Sequence, residues 1–157
     1  MSYQKSRGRS ATAPRKGARK KLLGRYKSSL EKYCADKLCE VGIKFDYELE
    51  YSLQESFRYD GTYWKMTAKS KTMTDKTGKV VLPIRYTPDF IGVGHRWIIE
   101  TKGYNPNMRD FNIRWKLFLN KLVESGEELP ALFIPKNKEQ IDETVRIIKK
   151  LIDDGEI

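Results

Sequence analysis

An aspartate, a glutamate and a lysine fall close together in the middle of this 157-residue chain. They lie in Tyr86-Thr87-Pro88-Asp89-Phe90 and in Trp97-Ile98-Ile99-Glu100-Thr101-Lys102-Gly103. Tyr86 to Gly92 and Trp97 to Lys102 are rich in β-branched and aromatic residues, which predicts two strands. Gly94-His95 between them suits a two-residue turn with Gly at its first central position. That turn sets Asp89 opposite Glu100 and Thr87 opposite Lys102, as pairs whose Cβ atoms lie roughly 4.5–5.5 Å apart. Side chains alternate along a strand, so Asp89, Glu100 and Lys102 share a face with Ile91, Val93, Arg96 and Ile98. Phe90, Trp97 and Ile99 take the other face. Both faces are apolar, which predicts a central hairpin covered on two sides.

Facing carboxylates in a half-buried sheet repel one another. One of them can hold a proton, Lys102 can neutralise them, or a cation can bridge them. Hard oxygen ligands suit Mg²⁺, which takes one or two carboxylates together with water and phosphate oxygens. Such a set would serve metal-dependent cleavage of a phosphodiester, with Lys102 one pleat away from the attacking water or the scissile phosphate. A purely structural Asp–Lys–Glu cluster accounts for the same spacing.

The elements needed to hold this group in place can be read along the chain. Ser28 to Val41 predicts a helix, with Leu30, Tyr33, Cys34, Leu38 and Val41 at helical spacing and Gly42 as its stop. Ser28-x-x-Glu31 matches a capping box, the plain explanation of Glu31. Glu31 also falls at the edge of the apolar stripe, where an inward carboxylate needs a partner. Ile43 to Leu53 alternates as one strand, with Phe45, Tyr47, Leu49, Tyr51 and Leu53 on one side. Residues 54–85 read as an insert, a projecting hairpin or loop with strand pieces at Tyr63–Met66 and Val80–Ile84. Its Lys65, Lys69, Lys71, Lys76 and Lys79 are placed to touch phosphate or simply to be solvated.

Met108 to Ser125 predicts a second helix with Phe111, Trp115, Phe118, Leu119, Leu122 and Val123 on one face. A short strand follows at Ala131–Ile134. Asn137 is placed to cap a last helix carrying Ile141, Val145, Ile148 and Leu151. The order is that of an α/β fold with a mixed sheet flanked by helices. His95, the one histidine, is read as a turn residue.

Charge is unevenly distributed. Ten of the 31 Lys and Arg lie in Met1–Lys27 without an acid, which leaves 21 basic against 21 acidic residues in the rest. Residues 1–24 are expected to be a disordered basic arm, and 25–157 the folded domain. Arg15, Lys16, Arg19, Lys20, Lys21, Arg25 and Lys27 are expected to bind the nucleic-acid backbone through counterion release. No apolar run approaches the ~18 residues of a membrane span. No secretory h-region is present, and Cys34 and Cys39 are spaced to different sides of a helix. A reducing, cytoplasmic setting is expected.

With these elements in place, Pro88-Asp89 and Glu100-Thr101-Lys102 resemble the signature of the PD-(D/E)XK nuclease superfamily, whose core is αβββαβ. Ser28-Ser29-Leu30-Glu31, Gly42-Ile43-Lys44-Phe45-Asp46-Tyr47-Glu48, Tyr86-Thr87-Pro88-Asp89-Phe90 and Glu100-Thr101-Lys102-Gly103 resemble, in order, blocks of the phage endonuclease I family of Holliday-junction resolvases. The similarity runs from about Arg25 to Gly103. The chain departs from the family in its longer 54–85 stretch and from Asn105 onward.

The resemblance implies a structure-selective endonuclease, a DNA-recombination hydrolase that resolves four-way junctions and branched DNA in a bacterial or phage-infected cell. It implies Asp89, Glu100 and the Thr101 carbonyl as ligands of Mg²⁺ or Mn²⁺, with Lys102 acting on the water and the phosphate. It also implies that Glu31 completes the site or holds a second metal. Members are intertwined homodimers with an exchanged first helix, so Glu31 would then serve the partner's site. A nicking, restriction, homing or repair endonuclease of the same fold, or a non-catalytic basic DNA-binding protein, would carry the same features.

Overall fold

A computed structural model describes residues 23–103 and 109–157. Most of the expected basic arm, including Arg15, Lys16, Arg19, Lys20 and Lys21, lies outside the described residues.

The first helix, α1 (Ser29–Glu40), begins where its cap dictates. Ser28 is extended and its side chain accepts the Glu31 N–H. Glu31 reaches back to the Lys27 N–H at 2.9 Å, one residue before the position a capping box uses. Gly42 takes φ +73°, and the Ile43 N–H returns to the Leu38 carbonyl at 3.0 Å, closing the helix. Val41, expected on the buried stripe, is exposed because the helix has already ended.

The central sheet contains β1 (Phe45–Tyr47), β8 (Phe90–Gly92), β9 (Trp97–Ile99) and β10 (Ala131–Phe133), in that order. β8 is antiparallel to β1 and β9, whereas β10 runs parallel to β9. The sheet is therefore mixed, as expected for an α/β chain. α2 (Arg109–Glu124) covers one face, and α1 with α3 (Lys138–Asp153) covers the other. Asn137 caps α3 by accepting the Gln140 N–H at 2.8 Å. The Tyr33 hydroxyl ties α1 to α3 by donating to Asp142 at 2.8 Å. Among the described residues no helix is long and apolar enough to cross a membrane.

The two faces divide the core as the alternation predicts. Phe90, Trp97 and Ile99 pack with Cys34, Leu38, Ile141 and Ile148. Ile91 and Ile98 pack with Tyr86 and Phe118. Val123, expected on the buried face of α2, is exposed. The helix contacts the sheet through the narrower stripe of Phe111, Trp115, Phe118 and Leu122. Both Cys34 and Cys39 are free thiols. Burial pushes the Cys34 thiol up to about 12.

Two expected strands are each broken in two. Ile43–Leu53 is interrupted at Glu48, whose φ is +58°. Phe45 and Tyr47 therefore face the α1 side, while Tyr51 and Leu53 of β2 (Tyr51–Gln54) face the α2 side. Tyr86–Gly92 is interrupted at Pro88, which has no N–H to give a ladder. β7 (Ile84–Tyr86) pairs with β2 outside the central sheet. This break sends Tyr86 to the same side as Ile91.

Beyond β2 and β7 the insert continues outward as nested antiparallel pairs. These are β3 (Phe57–Arg58) with β6 (Val80–Val81) and β4 (Trp64–Lys65) with β5 (Thr74–Asp75). Tyr59, Trp64, Met66 and Met73 along it are about half exposed. The expected projecting hairpin is present, carrying exposed Lys65, Lys69, Lys71 and Lys79.

The β8–β9 turn departs from the expected type, since Gly94 and His95 both take positive φ. His95 is held by the Tyr51 hydroxyl at 2.7 Å from Nδ1. At the base of that turn the Trp97 indole lies on the backbone of Gly92, where a Cβ would collide with the ring. Gly92 has an ordinary φ of −67°, so the constraint is purely one of space. Gly92→Ala is expected to cost about 1–3 kcal/mol in urea denaturation through displacement of the buried Trp97. Unchanged stability would show that the ring yields freely.

Candidate active site

The ladder pairs Phe90 with Ile99 and Ile91 with Ile98. Continued by one residue, this register sets Asp89 against Glu100. Each strand is anchored beside its acid. The Asp89 carbonyl accepts the Glu48 N–H at 3.1 Å. On the other side, Glu100 N–H donates to Phe133 O, and Lys102 N–H to Pro135 O, both at 2.9 Å. β10 thus takes every second N–H of the strand leading out of β9. The intervening Thr101 N–H turns the other way and donates to Asp89 Oδ2 at 2.7 Å, joined by the Thr101 hydroxyl at 2.6 Å.

This corner is poorly hydrated. Glu100 is only 4% exposed and Thr101 is 8% exposed, while Asp89 is half-buried. Burial first, and the Glu100 charge second, raise the Asp89 carboxyl to about 7 against the downward pull of its two Thr101 hydrogen bonds. Lys102 Nζ pairs with Glu100 Oε1 at 2.5 Å and lies 4.1 Å from the centre of the Phe111 ring. Two of the three remedies for facing acids are thus in place: partial protonation of Asp89 and an ammonium on Glu100.

Glu100 Oε2 remains buried without a hydrogen-bond partner, and so does the Tyr86 hydroxyl. The two groups are neighbours. Burial, followed by the Glu100 charge, raises the Tyr86 phenol. No hydrogen bond joins them in the structure. A buried acceptor left unpaired costs about 1–3 kcal/mol, more when charged. One oxygen of Glu100 is therefore left without a partner, and a hard cation is one group that would satisfy it.

Glu31 is 7% exposed. Its Oε2 accepts both the Lys27 N–H and, at 2.6 Å, the Tyr47 hydroxyl. Glu31 adds to the rise of Asp89. Among the described residues, however, no three of His, Cys, Asp and Glu gather into a group that could hold an ion. A site here rests on two carboxylates, a carbonyl and water. Arg25 lies over the Tyr26 and Tyr47 rings. Lys27 forms an ion pair with Glu48.

Three contributors escaped the sequence reading. Tyr86 was hidden by the break at Pro88, and Tyr47 and Glu48 by the break at Glu48. The aromatic–acid alternation in Tyr47-Glu48 was visible, but the change of face was not. Two hollows lined by Gly42, Ile43, Lys44 and Val93 lie at the other end of the sheet, beside the β8–β9 turn and away from this corner.

No family model, curated protein sequence or solved structure matches the chain.

Proposed function

We propose that the chain is a divalent-metal-dependent DNA endonuclease with a PD-(D/E)XK-type core, acting on four-way and other branched DNA. One observation carries the reading. A pair of facing acids, buried Glu100 and half-buried Asp89, has one Glu100 oxygen unsatisfied and an ammonium on the other. A binding module gains nothing from such a pair, since the acids repel a phosphate.

In this proposal Asp89, Glu100 and the Thr101 carbonyl hold Mg²⁺ or Mn²⁺, and Glu31 is available to a second ion. When bound, the ion supplies Lewis-acid polarisation of the phosphate and a water ionised near neutral pH. The chain's own residues do the rest. Thr101 holds Oδ2 of Asp89 with two hydrogen bonds and leaves Oδ1 for the ion. Lys102 moves from Glu100 toward the phosphate, where its charge opposes the charge gathering on the phosphate oxygens. Phe111, whose ring centre lies 4.1 Å from the Lys102 ammonium, limits the directions it can take.

The proposed substrate class draws on the basic residues of 1–27 and on the exposed lysines of the insert, which suit phosphate contacts rather than base readout. A homodimer would present two such sites to two strands. In the single chain α1 packs on its own sheet and α3, so an exchanged α1 would fill the same place from a partner.

Labelled four-way junction, linear duplex and single strand, each incubated with Mg²⁺ or Mn²⁺, provide the test. Cleavage of the junction without a fixed sequence is expected. Cutting confined to linear duplex at one sequence would replace the junction reading with a sequence-specific endonuclease. Binding without any cutting would leave the acids a structural role.

A further inference from the structure

We infer that the cleft between β7 and the start of α2 is a second phosphate site, in which Arg114 holds a phosphodiester adjoining the one addressed by Lys102. This rests on the nuclease reading and extends it to a residue whose position in an ordinary helical charge pattern gave no signal.

The cleft has a volume of about 380 Å³ and is lined by Arg85, Thr87, Lys102, Asp110, Phe111 and Arg114. That size is within the range of small-ligand sites. Its lining carries three cations against one acid, and the cations are not equivalent. Arg85 is paired with Glu50 at 2.6 Å. Lys102 is turned inward to Glu100. Arg114 is exposed and makes no ion pair with a described residue, Asp110 one turn before it included. Arg114 is thus the cation of the lining that no described acid neutralises. A planar guanidinium suits the paired oxygens of a phosphodiester better than a point charge does.

Lys102 belongs to both places. It borders the buried acid pair and also lines the cleft. A strand whose scissile phosphate sits at Lys102 must continue past it, and the cleft offers its next phosphate a cation. Thr87 adds a hydroxyl to the wall, while Phe111 gives the sugar an apolar surface. Asp110 works against an anion in the cleft, so the site depends on Arg114 and on Lys102 turning from Glu100 toward the bound strand.

Metal-free binding of a labelled four-way junction, followed by anisotropy across a range of salt, tests this without reference to cleavage. Arg114→Gln is expected to weaken binding about tenfold at low salt and to reduce the slope of log affinity against log salt by about one. Arg114→Lys should keep the slope and lose part of the affinity. Arg146→Gln, on α3 and paired with Glu143, should match the parent and so control for net charge. An Arg114→Gln protein with the parent's slope and affinity overturns the inference, as does an equal fall in Arg146→Gln. The two readings fail separately. A parent that cuts no DNA while Arg114→Gln still flattens the slope refutes the endonuclease and keeps the phosphate site. A parent that cuts, with Arg114→Gln unaltered in binding, does the reverse.

Discussion

Glu100→Gln is expected to lower junction cleavage by about 10³-fold, with Lys102→Ala close behind and junction affinity nearly unchanged. The two substitutions remove different things. Gln keeps the shape of Glu100 and its backbone bond to Phe133, but it removes the charge that would complete the proposed cation site. Ala at 102 removes the ammonium that opposes charge on the phosphate, a loss worth about 10²–10³ in rate for one well-placed donor.

Their effects on stability should differ. Lys102→Ala leaves a 4% exposed carboxylate without its partner, which costs about 3–5 kcal/mol when a buried pair is broken from one side. Glu100→Gln removes the buried charge itself and should be near neutral. Activity lost in both variants, with stability lost in only one, assigns the effect to chemistry rather than folding. The double variant Glu100→Gln/Lys102→Met, with restored stability and no cleavage, closes the cycle. Parent-like cutting by Glu100→Gln would remove the site from the proposal.

The second large effect concerns Asp89 and pH. Its carboxyl is raised to about 7 in the folded protein, against about 3.9 in an unfolded chain. The folded state therefore holds this proton more tightly. The resulting stability is fully present below about pH 4 and is lost as pH rises through about 7. The difference approaches 4 kcal/mol as a ceiling for three units.

Asp89→Asn has no such proton, and its amide oxygen can still accept from Thr101. Without metal, the parent should be the less stable of the two at pH 8 by a few kcal/mol, and the gap should close toward pH 4.5. Mg²⁺ or Mn²⁺ at pH 8 should stabilise the parent and not the variant, because the ion binds the ionised pair. Urea titrations at both pH values, with and without the ion, give all four numbers. Parallel pH curves for the two proteins would show that burial and Glu100 do not raise the Asp89 carboxyl.

The reach of the sequence can be judged element by element. The register of the β8–β9 hairpin was legible because a two-residue turn and strict alternation leave one pairing. The ends of α1 were legible because Ser28 and Gly42 act locally, through a side-chain cap and a left-handed backbone. The strand breaks were harder. Pro88 was in plain view, but its effect depends on which neighbour would have taken its missing N–H. At Glu48 a non-glycine residue adopts positive φ, and no residue type announces that. It follows from the need to carry the chain from one face of the sheet to the other.

By itself, then, the sequence determined the two faces of the central hairpin, the opposition of Asp89 to Glu100 and the caps of α1 and α3. All of these follow from covalent periodicity and short-range hydrogen bonding. Only the tertiary structure decided how dry that corner is, that Lys102 turns to Glu100, and that Tyr86 and Arg114 join it. Desolvation and ion pairing depend on which surfaces meet across the sheet, and residues distant along the chain meet there only once β10 and α2 have packed.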